Sequence, residues 1–345
     1  MTLKTLFLGS AAAFAVVGGA QAADLSVAEP VESVKVCDAF ASGYWYIPSS
    51  DVCLKISGNV EFDLNLFSLS STYGTHSSTW NFVTAAGVYI DAKSVIDIGE
   101  LSAHVGFQAK YAGDSTTATT WSLDGAWLKI GALQAGHFGS PFKPGSGFVD
   151  YNTKKSAIAD NNKIQLSWAA AGFGLALGIE DPRETWGSSL PDSWSMPLID
   201  GNITFSSGAV AGFLSAGFVQ LDAGTAWGVS GKVDVGIGAN DKLRLVGIYG
   251  DNLFVGGPAT AAATNSGWSA IASFSHMFSS KLAFDAEYSY LHPSASSGAD
   301  SWAAAADLVW TPYVGFKGVV RAGYANTVTA TTGSWSAQVY LKRSW

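Results

Sequence analysis

The sequence holds few groups able to make or break bonds. Cys37 and Cys53 are its only cysteines, and the five histidines, at 76, 104, 137, 276 and 292, stand far from both. Metal centres built from Cys and His cluster their ligands at short spacings, so this distribution argues against one. At the N-terminus, Lys4, the apolar run 6–17 and "AQA" at 20–22 form the pattern of a cleaved export leader, which predicts a mature chain starting at Ala23. In an exported chain an even cysteine count reads as a disulfide. His104 and His137 are the residues able to act as general bases, but neither lies in a pattern that calls for a serine partner. There is no phosphate loop and no pair of histidines at helical spacing. The sequence therefore predicts no enzyme, no cofactor and no bound metal, and a net charge of −8 argues against nucleic acid as a partner. What remains is fixed charge. Lys143, Asp150, Lys154, Lys155 and Asp160 crowd into "GSPFKPGSGFVDYNTKKSAIADN", residues 139–161. Lys55, Glu61, Asp63, Glu100, His104, Lys110, Lys129, Lys317 and Arg321 are set between mostly apolar or small neighbours. Charges arrayed in this way act on a passing ion or dipole rather than on a bond.

The elements that carry them have a period of two. In "LKISGNVEFDLNLF", residues 54–67, the even positions are Leu, Ile, Gly, Val, Phe, Leu and Leu, while Lys, Ser, Asn, Glu, Asp and Asn fill 55–65. Successive strand side chains point to opposite faces. This segment thus has one apolar and one ionic face over more than twice the usual strand length of about five or six residues. The same beat runs through "WNFVTAAGVYIDA", "LSAHVGFQAKY", "WGVSGKVDVGI", "LAFDAEYSY" and "WSAQVYLKRSW". It predicts strands at 53–69, 78–92, 95–111, 119–132, 133–138, 162–170, 173–180, 197–206, 208–221, 225–238, 241–250, 266–278, 281–291, 300–312, 314–327 and 333–345. Short turns are expected near 92–94, 170–172, 206–208, 238–241, 279–280 and 311–314. Long links are expected at 70–77, 112–118, 139–161, 181–196, 251–265 and 292–299. Strands joined alternately by turns and loops make a meander, and a closed meander is a barrel.

Charged residues are only 13% of the chain and aromatic residues also reach 13%, which points to a membrane although no long apolar helix follows the leader. In a soluble sandwich the apolar face would pack on a second sheet. In a transmembrane barrel it meets lipid, and the polar face lines a lumen. Strand length favours the barrel. So do the tryptophans that open strands after long links (80, 121, 227, 268, 302, 335) and the aromatics that close strands before them (67, 111, 249, 290, 324), because both sets fall at one end as a girdle. Closure also removes the strand edges that hydrocarbon cannot solvate. The predicted fold is therefore all-β: a transmembrane antiparallel up-and-down barrel of sixteen strands spanning 53–345, preceded by a leader (1–22) and a periplasmic segment (23–52) pinned by Cys37–Cys53.

"VCDAFASGYWYIPSSDVCLKISGNVEFD", residues 36–63, resembles the N-terminal hallmark of the alphaproteobacterial porin family: a cysteine, an aromatic- and glycine-rich stretch ending in Ile-Pro, a second cysteine, then Leu-basic-Ile-Ser-Gly. The closing "VYLKRSW" is similar to that family's last strand, with Trp345 in place of the usual Phe. The leader is similar as well, and the middle of the chain matches in pattern only. The resemblance implies a trimeric outer-membrane pore for small hydrophilic solutes, embedded among lipid and lipopolysaccharide. It also implies a third extracellular loop folded into the lumen as a constriction, and a terminal aromatic read by the barrel-assembly machinery. Two rivals are a sugar-specific channel and a plugged structural or adhesive barrel. The first needs aromatic rings in the lumen, whereas the tryptophans fall mostly on the apolar face. The second needs a plug domain, for which segment 23–52 is too short.

Overall fold

The computed structural model describes residues 35–73, 76–112, 121–149, 158, 160–181, 183, 196–221, 224–255, 266–293, 300–326 and 333–345. The expected leader at 1–22, Asp150, Lys154 and Lys155 lie outside them. A two-residue strand β1 (Trp45–Tyr46) precedes β2 (Cys53–Tyr73), β3 (His76–Ile96), β4 (Gly99–Ala112), β5 (Trp121–Ile130), β6 (Leu133–Gly139), β7 (Asp160–Ala170), β8 (Phe173–Asp181) and β9 (Leu198–Ser207). Then follow β10 (Val210–Leu221), β11 (Gly224–Ile237), β12 (Asp241–Asp251), a one-turn helix α1 (Asn252–Val255), β13 (Ser266–Ser279), β14 (Leu282–His292), β15 (Ser301–Trp310), β16 (Phe316–Asn326) and β17 (Ser334–Ser344). Strands β2 to β17 pair antiparallel in sequence order, and β17 returns to β2 with Gln338 opposite Asn65 and Lys342 opposite Glu61. The result is a closed sixteen-strand barrel.

The two faces separate as the alternation demands. Ile56, Phe62, Leu66, Ile164, Leu177, Leu214, Leu245 and Val320 lie exposed on the outside, although they are among the most apolar residues of the chain. Burial in a soluble core would stabilise each by roughly 1.5–3 kcal/mol, so a surface built of them belongs in an apolar solvent. Tyr249 is opposite Trp268, Tyr290 opposite Trp302, and Tyr324 opposite Trp335, which makes the girdle a chain of cross-strand pairs. Trp268 and Tyr290 have ring centroids 5.2 Å apart. Tight turns close the other end. Ala171 (φ 50°) and Gly172 (φ 82°) join β7 to β8 in the left-handed geometry that matches strand twist.

Two expected connections differ. The turn placed at 92–94 lies at Asp97–Ile98 instead, because β3 runs on to Ile96 and pairs there with Gly99. The long link placed at 70–77 is mostly strand: after a bulge, Ser71, Thr72 and Tyr73 pair with Ser78, Ser77 and His76. Residues 68–73 read Ser-Leu-Ser-Ser-Thr-Tyr and carry no sustained alternation, so a rule based on alternation ends the strand too early there.

Before β2, the Cys37–Cys53 disulfide joins Cα atoms 6.0 Å apart. Tyr44 packs beside the bridge with Phe40 and Tyr46, and burial, then the Asp91 charge, push its phenol above the ordinary range. β1 lies on the first residues of β2, Trp45 opposite Leu54 and Tyr46 opposite Cys53.

Candidate functional site

The polar faces of the strands place the wall charges in register. Glu61 meets Lys342 at 3.3 Å. Asp63, nearly buried, accepts from Gln338 at 3.3 Å, and Gln338 accepts from Arg321 at 3.4 Å. Arg321 also grips Asp307 with two bonds of 2.7 Å. Lys93 and Glu100 pair at 2.8 Å, and His104 Nδ1 lies 2.7 Å from Asp91. Lys55 sits 5.7 Å over the Tyr44 ring and Lys317 5.7 Å over the Tyr340 ring. Lys110 stands opposite Ala85 and Lys129 opposite Ser102. The predicted wall residues thus share a face but not a single cluster: Glu61, Asp63 and Arg321 converge, while Lys55, Glu100 and Lys129 do not join them.

Segment 140–149 follows β6 and bonds to side chains of seven other strands, β9 to β14 and β16. Phe142 is fully buried, packed edge-on against Phe254 of α1 with ring centroids 4.9 Å apart. Leu198, Val219, Ala226, Ile248 and Leu291, from β9, β10, β11, β12 and β14, complete the apolar cluster with Ile158 and Val255. Around it the backbone is hydrogen-bonded at almost every step. The Phe142 N–H and the Ser140 hydroxyl both donate to Asp200 Oδ2 at 2.9 Å. The Ser215 and Ser230 hydroxyls donate to the Phe142 carbonyl at 2.8 and 3.0 Å. Arg244, paired with Asp234, reaches the Ser146 carbonyl at 3.2 Å and covers the Phe148 ring. Phe148 N–H donates to Ser273 Oγ at 2.8 Å, Val149 N–H to Glu287 Oε2 at 3.2 Å, and Arg321 to the Val149 carbonyl at 2.6 Å. Lys143 pairs with Asp160 at 2.8 Å, both half exposed. Beneath lies a fully buried pair, Lys163 and Glu180 at 3.1 Å, with Asn161 donating to the same carboxylate at 2.9 Å.

Several functional candidates escaped the sequence reading. Lys163, Glu180, Asp200, Asp234, Arg244, Glu287 and Asp307 all lie on polar strand faces; the alternation already set Asp234 and Glu287 there without marking them as site residues, and extending it to every strand would have flagged the others. Which of them pair depends on register, which alternation alone does not fix. The tryptophans fall mostly on the apolar face, as expected, with Trp127 an exception: it sits on the polar face, its ring against His104. Among the described residues, no group of three or more His, Cys, Asp or Glu is placed to hold a metal ion.

The family described as the Porin subfamily matches residues 24–342. Outer membrane protein IIIA of Rhizobium leguminosarum bv. viciae is 31% identical over 273 residues, covering 72% of this chain and 70% of that protein. A putative outer membrane protein, y4fJ, of Sinorhizobium fredii is 32% identical over 191 residues, 52% of this chain; the match spans about half, 55%, of that protein's length. Among solved structures, the outer membrane channel DcaP of Acinetobacter baumannii superposes with a TM-score of 0.69 at 14% identity, over 87% of this chain and 99% of that one.

Proposed function

The chain belongs to the Porin subfamily, and from that premise we propose that it is a water-filled outer-membrane pore through which small hydrophilic molecules and ions diffuse, narrowed by segment 139–161 folded into the lumen. One observation carries the reading: segment 140–149 leaves β6 and bonds to polar-face side chains of β9 to β16, namely Asp200, Ser215, Ser230, Arg244, Ser273, Glu287 and Arg321. A loop lying outside the barrel would not reach that face on so many strands. A barrel of sixteen strands is wide enough for an aqueous channel, and a strap across it sets the bore.

The mechanism needs no bond chemistry. Arg244–Asp234 and Arg321–Asp307 hold the strap, and Lys143, Asp160 and, outside the described residues, Asp150, Lys154 and Lys155 set the charge beside the path. Fixed charges within a Debye length of a permeant, about 10 Å at 0.1 M salt, bias which ions enter. The same reading has residues 1–22 removed on export, the barrel inserted by the assembly machinery among lipid and lipopolysaccharide, and three copies joined as a trimer. Reconstitution into a planar bilayer tests it. Steady ohmic steps are expected, with a reversal potential in a salt gradient that reports the charge preference. Silence from folded protein would replace the pore with a plugged structural barrel.

A further inference from the structure

Three rings form a row on the inner wall: Tyr89 of β3, His104 of β4 and Trp127 of β5. Their centroids are 6.2 and 5.4 Å apart, and successive planes are only 20° and 12° from parallel. Glycines on the same and neighbouring strands let the rings lie down. A Cβ at Gly87 or Gly106 would come within 2.8 Å of Tyr89, and Gly125 faces His104. One face of Tyr89 therefore rests on backbone, and the near-parallel planes carry the same attitude to its neighbours. The row is partly exposed, the His104 side chain to 20%. On the opposite wall, by contrast, Ser230, Ile248, Ser273 and Asp307 are almost fully covered. Hydrogen-bonding groups flank the row. Asp91 holds His104 Nδ1 at 2.7 Å. At the β4–β5 bulge, Gln108 and Asp124 meet at 2.7 Å. Asn59 approaches the Tyr89 hydroxyl at 3.5 Å.

We infer that this row is a binding panel for saccharides in transit, a substrate class that rests on the pore reading above. A flat apolar face beside carboxylate and amide oxygens is complementary to a pyranose, whose C–H face stacks on a ring while its hydroxyls bond at the edge. The centroid spacings are comparable with the repeat of linked pyranoses, so consecutive sugar units can engage consecutive rings. A saccharide then moves along the wall by exchanging one ring contact for the next, and its binding is weak and saturable.

The test titrates maltotetraose against folded wild-type barrel in detergent by calorimetry, and against single channels in a bilayer. Saturable heat and saturable current reduction at the same concentration range are expected. Trp127→Ala should weaken half-saturation by about tenfold, the loss of one good contact, and Trp127→Phe should recover most of it. Tyr89→Leu is the second variant should the first fail to show heat-modifiable mobility. A reduction that never saturates and is equal in all variants would overturn the panel and leave the rings as covers for Gly87 and Gly106. So would block by a small aromatic cation with maltotetraose inert. The calorimetric arm does not depend on conduction: absent steps with retained, Trp127-dependent sugar binding would remove the diffusion reading while the panel stands, whereas ohmic steps without sugar binding would do the reverse.

Discussion

Replacing Phe142 by alanine should loosen the strap, making its local opening more frequent without opening the barrel. The ring is fully buried between α1 and the apolar residues of β9, β10 and β12, and truncating such a phenylalanine costs about 3–5 kcal/mol. At about 1.4 kcal/mol per decade, the equilibrium for local opening of segment 140–149 shifts by about two to three and a half orders of magnitude. The strap still keeps its bonds to Asp200, Ser215, Ser230, Arg244, Ser273, Glu287 and Arg321, each worth about 1 kcal/mol net and more where charged, so it should remain closed most of the time. Hydrogen exchange resolves this. The N–H groups of Phe142, Phe148 and Val149 should exchange faster by that factor in the variant, while those of β13 and β14, held in the ladder, keep their rates. Phe142→Leu, which conserves most of the volume, should give about a tenfold change or less. Unchanged exchange in Phe142→Ala would refute the claim that apolar burial holds the strap. Equal acceleration throughout β13 and β14 would show that the strap and the barrel are one cooperative unit.

Three further outcomes follow from the same contacts. Alkylation under non-reducing conditions should find no free thiol, and the Cys37→Ser/Cys53→Ser variant should unfold in denaturant with a stability lower by about 3 kcal/mol, the loop-entropy value for a bridge of this span. Replacing Lys143, Lys154 and Lys155 together by glutamate should move the reversal potential toward cations most strongly in dilute salt, and no shift at either 0.1 M or 1 M would take the constriction away from this segment. Deleting Trp345, whose N–H and carbonyl both bond Gly58 and whose indole lies over that glycine, should cut the yield of heat-modifiable barrel far more than it alters the conductance of assembled molecules; equal yields would show that the terminal residue is dispensable.

What was legible in the sequence was whatever a two-solvent boundary imposes. Ile164, Leu166 and Trp168 face out while Lys163, Gln165 and Ser167 face in because each strand separates an apolar from a polar medium, and the pattern shows in the chain without reference to any neighbour. The disulfide was legible because only one pairing exists for two cysteines. The tips of β2 and β3 were not, since the run of small polar residues there carries no alternation. Nor was the strap's anchorage. Phe142 and Phe254 come from connecting segments with no period of their own, and their meeting depends on where β6 and β12 end in the closed sheet. The inward aim of Trp127 was not singled out because the tryptophans were read as a class, although the phase of Leu128 and Ile130, which follow it, would have told it apart.

The junction of β17 with β2 joins the two ends of the barrel sequence, with Ser344 opposite Asn59, where neighbouring hairpins close over a few residues. Bringing together segments roughly 280 residues apart costs about 5 kcal/mol in the length-dependent part of loop entropy, so this seam forms late in folding and is the first line along which the cylinder can unzip. The paired edge of β2 ends at Gly58 on one side of the seam, leaving residues 53–57 without β17. β1 lies on the first two of these, Cys53 and Leu54, and the disulfide ties that short strand down. The bridge therefore acts as a stop at the open end of the seam: it denies a foreign strand the first residues of β2, and it keeps a barrel that has momentarily parted from recruiting a second chain before it can reseal.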